Sequence, residues 1–218
     1  MPSDTLDLHE LAAAHTAAHT ALSPGEQRIA LATYYLLGEG QPVSDEAVAA
    51  QLGLPLAEVT AYLDRPTRQR DDRGRLVGFG GLTLKPTTHS LQLGGRSLYA
   101  WCALDALFLP EILGRPARIR STCPQTGETV TLRVDATGTH DLAPAGAAIS
   151  LVGPEGFDAG DVIATFCCYV HFFASEQAAQ TWTTPKKDTY VVSIPSGYEF
   201  GRLYTHERFS AALSDDHQ

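Results

Sequence analysis

The chain has 218 residues, of which 44% are hydrophobic and 19% charged, with a formal net charge of −9 and a pI near 5.3. These are globular proportions, and a chain of this size buries about 70% of its unfolded surface, so its core needs no disulfide staples. The acidic balance argues against a protein that grips phosphate backbones, and no apolar run approaches the ~20 residues that span a bilayer. The opening "MPSDTLDLHE" has neither the basic nor the apolar region of a signal peptide. The expectation is a cytoplasmic protein with reduced thiols, and with neither nucleic acid nor membrane as a partner.

In chain order, residues 5–22 are Ala-rich and predict a helix. "SPGEQRIALATYYLL" predicts a second, with Ser23 as N-cap and Pro24 at the first helical position. Ser44 caps a short helix over "DEAVAAQL", which Gly53 ends. "LPLAEVTAYLDR" follows with Leu56, Val59 and Leu63 on one face. "RLVGFG" and "LTL" predict two short strands joined by a turn at Gly80-Gly81. Helix, helix, turn, helix and hairpin make a winged-helix pattern over about residues 24–84.

The second half changes character. "HSLQL-GG-RSLYAW" and "ARIRSTC-PQTG-ETVTLRVD" read as hairpins. "CALDALFLPEILG" reads as a helix that Pro110 kinks or restarts. "AAISLV", "CCYVHFF" and "TYVVSI" read as strands, and "GYEFGRLYTHERFSAAL" as a closing amphipathic helix with Phe200, Leu203, Tyr204 and Ala211 in register. The expected class is α+β. A helical winged-helix-like domain over 1–84 precedes an antiparallel-sheet α+β catalytic domain over 85–218.

The four cysteines carry the chemistry to be sorted. If "FCCYVHFF" is a strand, Phe166, Cys168, Val170 and Phe172 share one face, which is wholly apolar. Cys167, Tyr169, His171 and Phe173 share the other, which looks like the wall of a cleft. This assigns Cys167 to a site and Cys168 to packing; the alternative is that both are buried apolar cysteines. Cys167 and His171 would lie about 13 Å apart along a strand, too far to share a zinc ion whose ligands sit about 2 Å away. "STCPQTGE" resembles half a zinc knuckle, but its second cysteine is missing, so Cys123 reads as a packing residue. In "YAWCALD", Cys102 stands at a predicted helix start, where the positive end of the dipole favours thiolate. Asp105 lies three residues on, on the same face, where it can share a proton with the thiol; the alternative is that it only complements the dipole. GxSxG, P-loop, GxGxxG and HExxH motifs are all absent.

"LYAWCALDALFLPEILGRPARIRSTCPQTGETVTL", followed by "FCCYVHFFAS", resembles the bacterial organomercurial lyase (alkylmercury lyase) family, from about "VGFGGLTL" through Ser175. The resemblance implies protonolytic cleavage of a carbon–mercury bond to a hydrocarbon and Hg(II). By match to the two motifs it implies Cys102 and Cys167 as mercury-binding thiolates and Asp105 as the carboxylate that relays the proton and faces the metal. It implies no cofactor, low-molecular-weight thiols that help release the metal, and mercuric reductase as the downstream acceptor of Hg(II). Tyr99, Trp101 and Phe166 are candidates to line an apolar pocket, with core packing the alternative for each. The first 20 residues and those after about 180 carry no assigned role. The rival reading is a winged-helix metal-sensing transcription regulator. Arg65, Arg68, Arg70, Arg73 and Arg75 favour it; Glu58, Asp64, Asp71 and Asp72 dilute them.

Overall fold

A computed structural model of the chain describes residues 7–65 and 68–215. Four helices open it: α1 (Leu8–Ala18), α2 (Pro24–Gly38), α3 (Asp45–Leu52) and α4 (Leu56–Leu63). The first residues of the helix expected over 5–22 lie outside the described residues. The caps are those read from the sequence. Ser23 and Glu26 form a reciprocal capping box, Ser44 accepts from the Ala47 N–H, and Gly53 ends α3 in the left-handed conformation.

Strands β1 (Gln69–Arg70), β2 (Leu76–Phe79), β3 (Leu82–Thr83), β4 (His89–Leu93) and β5 (Arg96–Ala100) follow, then helix α5 (Ala103–Ile112). Beyond it lie β6 (Ala117–Thr122), β7 (Thr129–Asp135), β8 (Gly138–Ala143), β9 (Ala148–Val152), the short α6 (Val162–Thr165), β10 (Phe172–Phe173), α7 (Glu176–Thr183), β11 (Thr189–Ser193) and α8 (Ile194–Asp215). The architecture is α+β, with one eight-stranded sheet in the order β1-β2-β3-β5-β4-β6-β7-β8 and one three-stranded sheet, β10-β9-β11. All pairings are antiparallel. Because β3 pairs with β5, the hairpin after the N-terminal helices belongs to the same sheet as the later strands.

The centre of the molecule is α5. It packs against β4, β5 and β7 on one side and α8 on the other. Leu104, Leu107, Leu109 and Ile112 are all buried, which is why this helix is apolar all round rather than amphipathic. Pro110 sits inside it without ending it. Strands β6 and β7 alternate buried and more exposed residues, the signature of a sheet with one face on the core.

Two expectations change. "FCCYVHFF" is not one strand: Cys167–Tyr169 form a 3₁₀ turn and only Phe172–Phe173 pair in a sheet. The Tyr169 N–H donates to Phe166 O at 2.9 Å and the Val170 N–H to Cys167 O at 3.4 Å, so the chain coils before it extends. Coiling replaces two-residue alternation with neighbours three apart. Phe166, Cys167 and Val170 turn inward and Cys168 turns to solvent, so Cys168 is exposed rather than packed. The second change is α7, which the sequence reading passed over although Ser175 caps it.

The winged-helix order of elements is present, but four of its five arginines are engaged within the chain. Arg65 pairs with Glu26, Arg70 with Asp45 at 2.9 Å and Arg75 with Asp71 at 2.7 Å. Arg68 lies over the Phe79 ring at 4.5 Å. Guanidinium groups paired with carboxylates of their own chain release few phosphate counterions, so the regulator reading loses most of its contact surface.

Gly81, in the turn between β2 and β3, has φ +93°, and a Cβ there would meet the Asp105 carboxyl carbon at 2.4 Å. Gly53 also has positive φ, +66°, but opens on empty space. Gly53→Ala is expected to cost only the left-handed backbone strain of about 1–2 kcal/mol. Gly81→Ala should cost at least about 1 kcal/mol more, because a close-packed neighbour must move. Urea unfolding of the two variants compares them directly; equal losses would mean that the turn does not press on Asp105.

Candidate active site

Three segments meet at the start of α5. Cys102 is its N-cap, in extended conformation at the end of the chain's run through β5. The Cys102 N–H donates to Asp105 Oδ2 at 2.9 Å, so the carboxylate one turn on closes the helix end. The Ala103 N–H donates to Val170 O at 3.1 Å, which ties this end to the coiled segment carrying Cys167. The two sulfurs and an Asp105 carboxylate oxygen all lie within 4.8 Å of one another, and all three residues are buried. These are the three site residues named from the sequence.

The other candidates stand apart from them. Cys123 is buried at the tip of the β6–β7 hairpin, where its carbonyl accepts from the Gly127 N–H. Burial raises the Cys123 thiol, but donors from Thr126, Ala174 and Gln125 outweigh it and bring it below the ordinary value. The His171 ring sits 3.0 Å from Cys168 O, 6.0 Å from the stacked His89 ring, and joins no metal-ligating group among the described residues.

The electrostatics overturn one sequence argument. A helix N-terminus favours a thiolate, yet the Cys102 thiol is raised well above its ordinary value. Burial is the first cause, then the hydrogen bond with Cys167 and the charge of Asp105. Magnitudes explain the outcome: a helix dipole contributes about 0.3–1 kcal/mol, under one pKa unit, whereas full burial moves a group by up to ~3–5 units. A hydrogen bond from Cys102 pulls the Cys167 thiol down, but burial and the neighbouring charges of Asp105 and Cys168 together carry it up. Burial lifts the Asp105 carboxyl to about 7, against hydrogen bonds from Cys102 that lower it. At rest the site therefore holds two protonated thiols beside a carboxyl poised to lose or take a proton near neutrality.

Asp105 and Cys167 open onto a cavity of about 370 Å³, and Cys102 lies fully buried behind them. Trp101 and Phe166 line the cavity as expected, and the buried Trp101 indole N–H has no acceptor among the described residues. Tyr99 does not line it: on β5 it alternates with the buried Leu98 and Ala100 and so points to the opposite face. The sequence reading missed much of the wall. His15 comes from α1, Tyr34 from α2, Tyr62 from α4, and Tyr204 and Arg208 from α8. The segments left without a role, before residue 20 and after 180, thus help to build this space. No local motif marks these residues, because they converge only when α1, α2 and α8 pack together.

Comparison with known proteins shows the family of the chain. A family model described as alkylmercury lyase (MerB) matches residues 82–206. The chain is 40% identical to the alkylmercury lyase of Staphylococcus epidermidis over 77% of its own length and 76% of the relative's. It is 35% identical to that of Pseudomonas putida over 86% and 90% respectively. A crystal structure of the mercury-bound form of MerB2 superposes with a TM-score of 0.72, covering 90% of this chain and 96% of the other at 27% identity. The chain belongs to the alkylmercury lyase family and is an enzyme of that kind.

Proposed function

We propose that this lyase cleaves organomercurials by protonolysis, with Cys102 and Cys167 binding the mercury and Asp105 passing the proton to carbon. The observation that carries this reading is the mutual approach of three buried ligand atoms within 4.8 Å. Mercury is a soft metal and prefers thiolate sulfur. Cys167, which faces the cavity, exchanges for the ligand that accompanies the organomercury cation; its proton leaves with that ligand. Cys102 adds as the second sulfur and gives its proton to Asp105. Two thiolates enrich the mercury-bound carbon in electrons, Asp105 protonates it, and the carbon–mercury bond breaks. The balance is one organomercurial thiolate plus two protein thiols, giving one hydrocarbon, one free thiol and mercury held by two sulfurs. A carboxyl near 7 suits a group that must both take and return the proton.

The same reading includes an enzyme without an organic cofactor. Low-molecular-weight thiols remove Hg(II) by exchange, and mercuric reductase is the acceptor, in a cytoplasm that keeps all four cysteines reduced. Among the described residues, no helix is long and apolar enough to cross a membrane.

Replacing either site thiol by a hydroxyl removes a soft donor, so Cys102→Ser and Cys167→Ser should abolish arene release from an arylmercurial in excess thiol. Turnover within about tenfold of the parent by either would sink the two-thiolate mechanism. Cys168 is exposed, so Cys168→Ser should retain most activity and shift stability by no more than about 0.5 kcal/mol.

Asp105→Asn keeps both thiols but lacks the acid. It should bind the organomercurial, accumulate as protein plus the intact organomercury group in the mass spectrum, and cleave about 10²–10⁴-fold more slowly. Near-normal arene release would assign Asp105 to helix capping alone.

Stability reports the same carboxyl. A group raised from 3.8 to about 7 on folding stabilises the fold at acid pH and loses that contribution as pH rises through the folded value. Metal-free Asp105→Asn should therefore match the parent most closely near about pH 4 and become the more stable of the two above about pH 7, by about 1–4 kcal/mol. Urea midpoints across that range measure the gap; a gap that stays constant would mean that Asp105 is not held neutral by burial.

A further inference from the structure

The cavity in front of Asp105 and Cys167 has a charge opposite to that of its protein. The chain carries −9, yet Arg65, Arg68 and Arg208 all line this space, and Asp105 is the one carboxylate among its described lining residues. The three arginines are not equivalent. Arg65 pairs with Glu26, which lies outside the wall. Arg68 is spread over the Phe79 ring at 4.5 Å and the Tyr62 ring at 5.5 Å. Arg208 is half-buried, 6.0 Å from the Tyr204 ring, and among the described residues it forms neither an ion pair nor a hydrogen bond.

A guanidinium held partly out of water with no anion is costly, and charges in such places are ordinarily paired. The neighbouring phenols do not serve as counter-ions. Burial raises Tyr34, Tyr62 and Tyr204, the last to about 12, so all three stay neutral. His19 stays neutral beside it: burial and then the Arg208 charge lower it to about 4. The position of Arg208 is built into the fold. Helix α8 breaks at Phe209, where the backbone leaves helical geometry, and Arg208 and Phe209 both face the cavity there.

The geometry points to an anion subsite at Arg208 that receives a carboxylate carried by the substrate in the same cavity as the mercury-binding thiols. The inference rests on the reading of Cys102, Cys167 and Asp105 given above and adds a substrate class to it. A planar guanidinium fork matches a carboxylate through two parallel hydrogen bonds. The carboxylate has two available sources. It is either a substituent of the organic group or part of the thiol that accompanies the mercury.

The test compares kcat/KM of the parent, Arg208→Gln and Arg208→Lys on 4-mercuribenzoate and phenylmercury, each in excess 2-mercaptoethanol and in excess mercaptoacetate. If the organic group supplies the anion, the mercuribenzoate-to-phenylmercury ratio in 2-mercaptoethanol should fall about tenfold in Arg208→Gln, the size of one charge-assisted hydrogen bond. If the thiol supplies it, the ratio of phenylmercury rates in mercaptoacetate and 2-mercaptoethanol should fall by about the same factor. In either case Arg208→Lys, which keeps the charge but loses the fork, should recover part of the ratio. Both ratios staying within about twofold of the parent would overturn the subsite while leaving the thiolate site standing. Failure of the parent to release arene from either substrate would overturn both readings.

Discussion

The Cys102 amide donates to the Asp105 carboxylate at 2.9 Å across the first turn of α5, and the other features of the site are arranged around that bond. It satisfies a helix-end donor that would otherwise be orphaned in the core. It also fixes the carboxylate beside the fully buried Cys102 thiol. Burial then sets the protonation state. The dipole and the amide favour an anion at this place, desolvation opposes one, and desolvation is the larger effect. The outcome is a pair of thiols held protonated beside a carboxyl raised to about 7. In the proposed mechanism the strong sulfur–metal bond of a soft cation offsets the cost of making buried thiolates.

The same burial explains why so much of the chain is devoted to a small constellation. Helix α5 is enclosed by sheet on one side and α8 on the other, which removes solvent from Cys102 entirely. The Gly80-Gly81 turn presses on the site from the β2–β3 hairpin: a Cβ at Gly80 would strike the Tyr34 hydroxyl at 2.0 Å. That hydroxyl donates to Gly80 O at 2.7 Å, linking α2 to the turn that packs on Asp105. The N-terminal helices therefore do not form a separate reading head. They supply walls of the cavity, and Arg65, Arg70 and Arg75 beside them are paired with neighbouring carboxylates.

Much of this was legible in the residues. Ser23-Pro24, Ser44 and Gly53 mark helix ends because capping is local chemistry that a few neighbouring residues decide. Gly94-Gly95 marks the β4–β5 hairpin for the same reason. The motif around Cys102 and Asp105 named its own partners, since a spacing of three in a helix puts them on one face. "FCCYVHFF" was the weak point. Its residues favour a strand, but hydrogen bonds from Tyr169 and Val170 coil it, so Cys167 reaches the cavity wall by a turn rather than by strand alternation and Cys168 is exposed rather than packed.

By itself the sequence determined the α+β class, the hairpins and caps, the thiol and carboxyl chemistry available, and through two cysteine motifs the family. These depend on interactions within a turn or a strand pair, which neighbouring residues encode. Only the tertiary structure decided that Cys102, Asp105 and Cys167 share one buried point, that Asp105 titrates near 7, and that Arg208 faces the same cavity as Cys167. Each of those depends on distances between segments far apart in the chain and on how completely they exclude water, and neither quantity is written in any local pattern of residues.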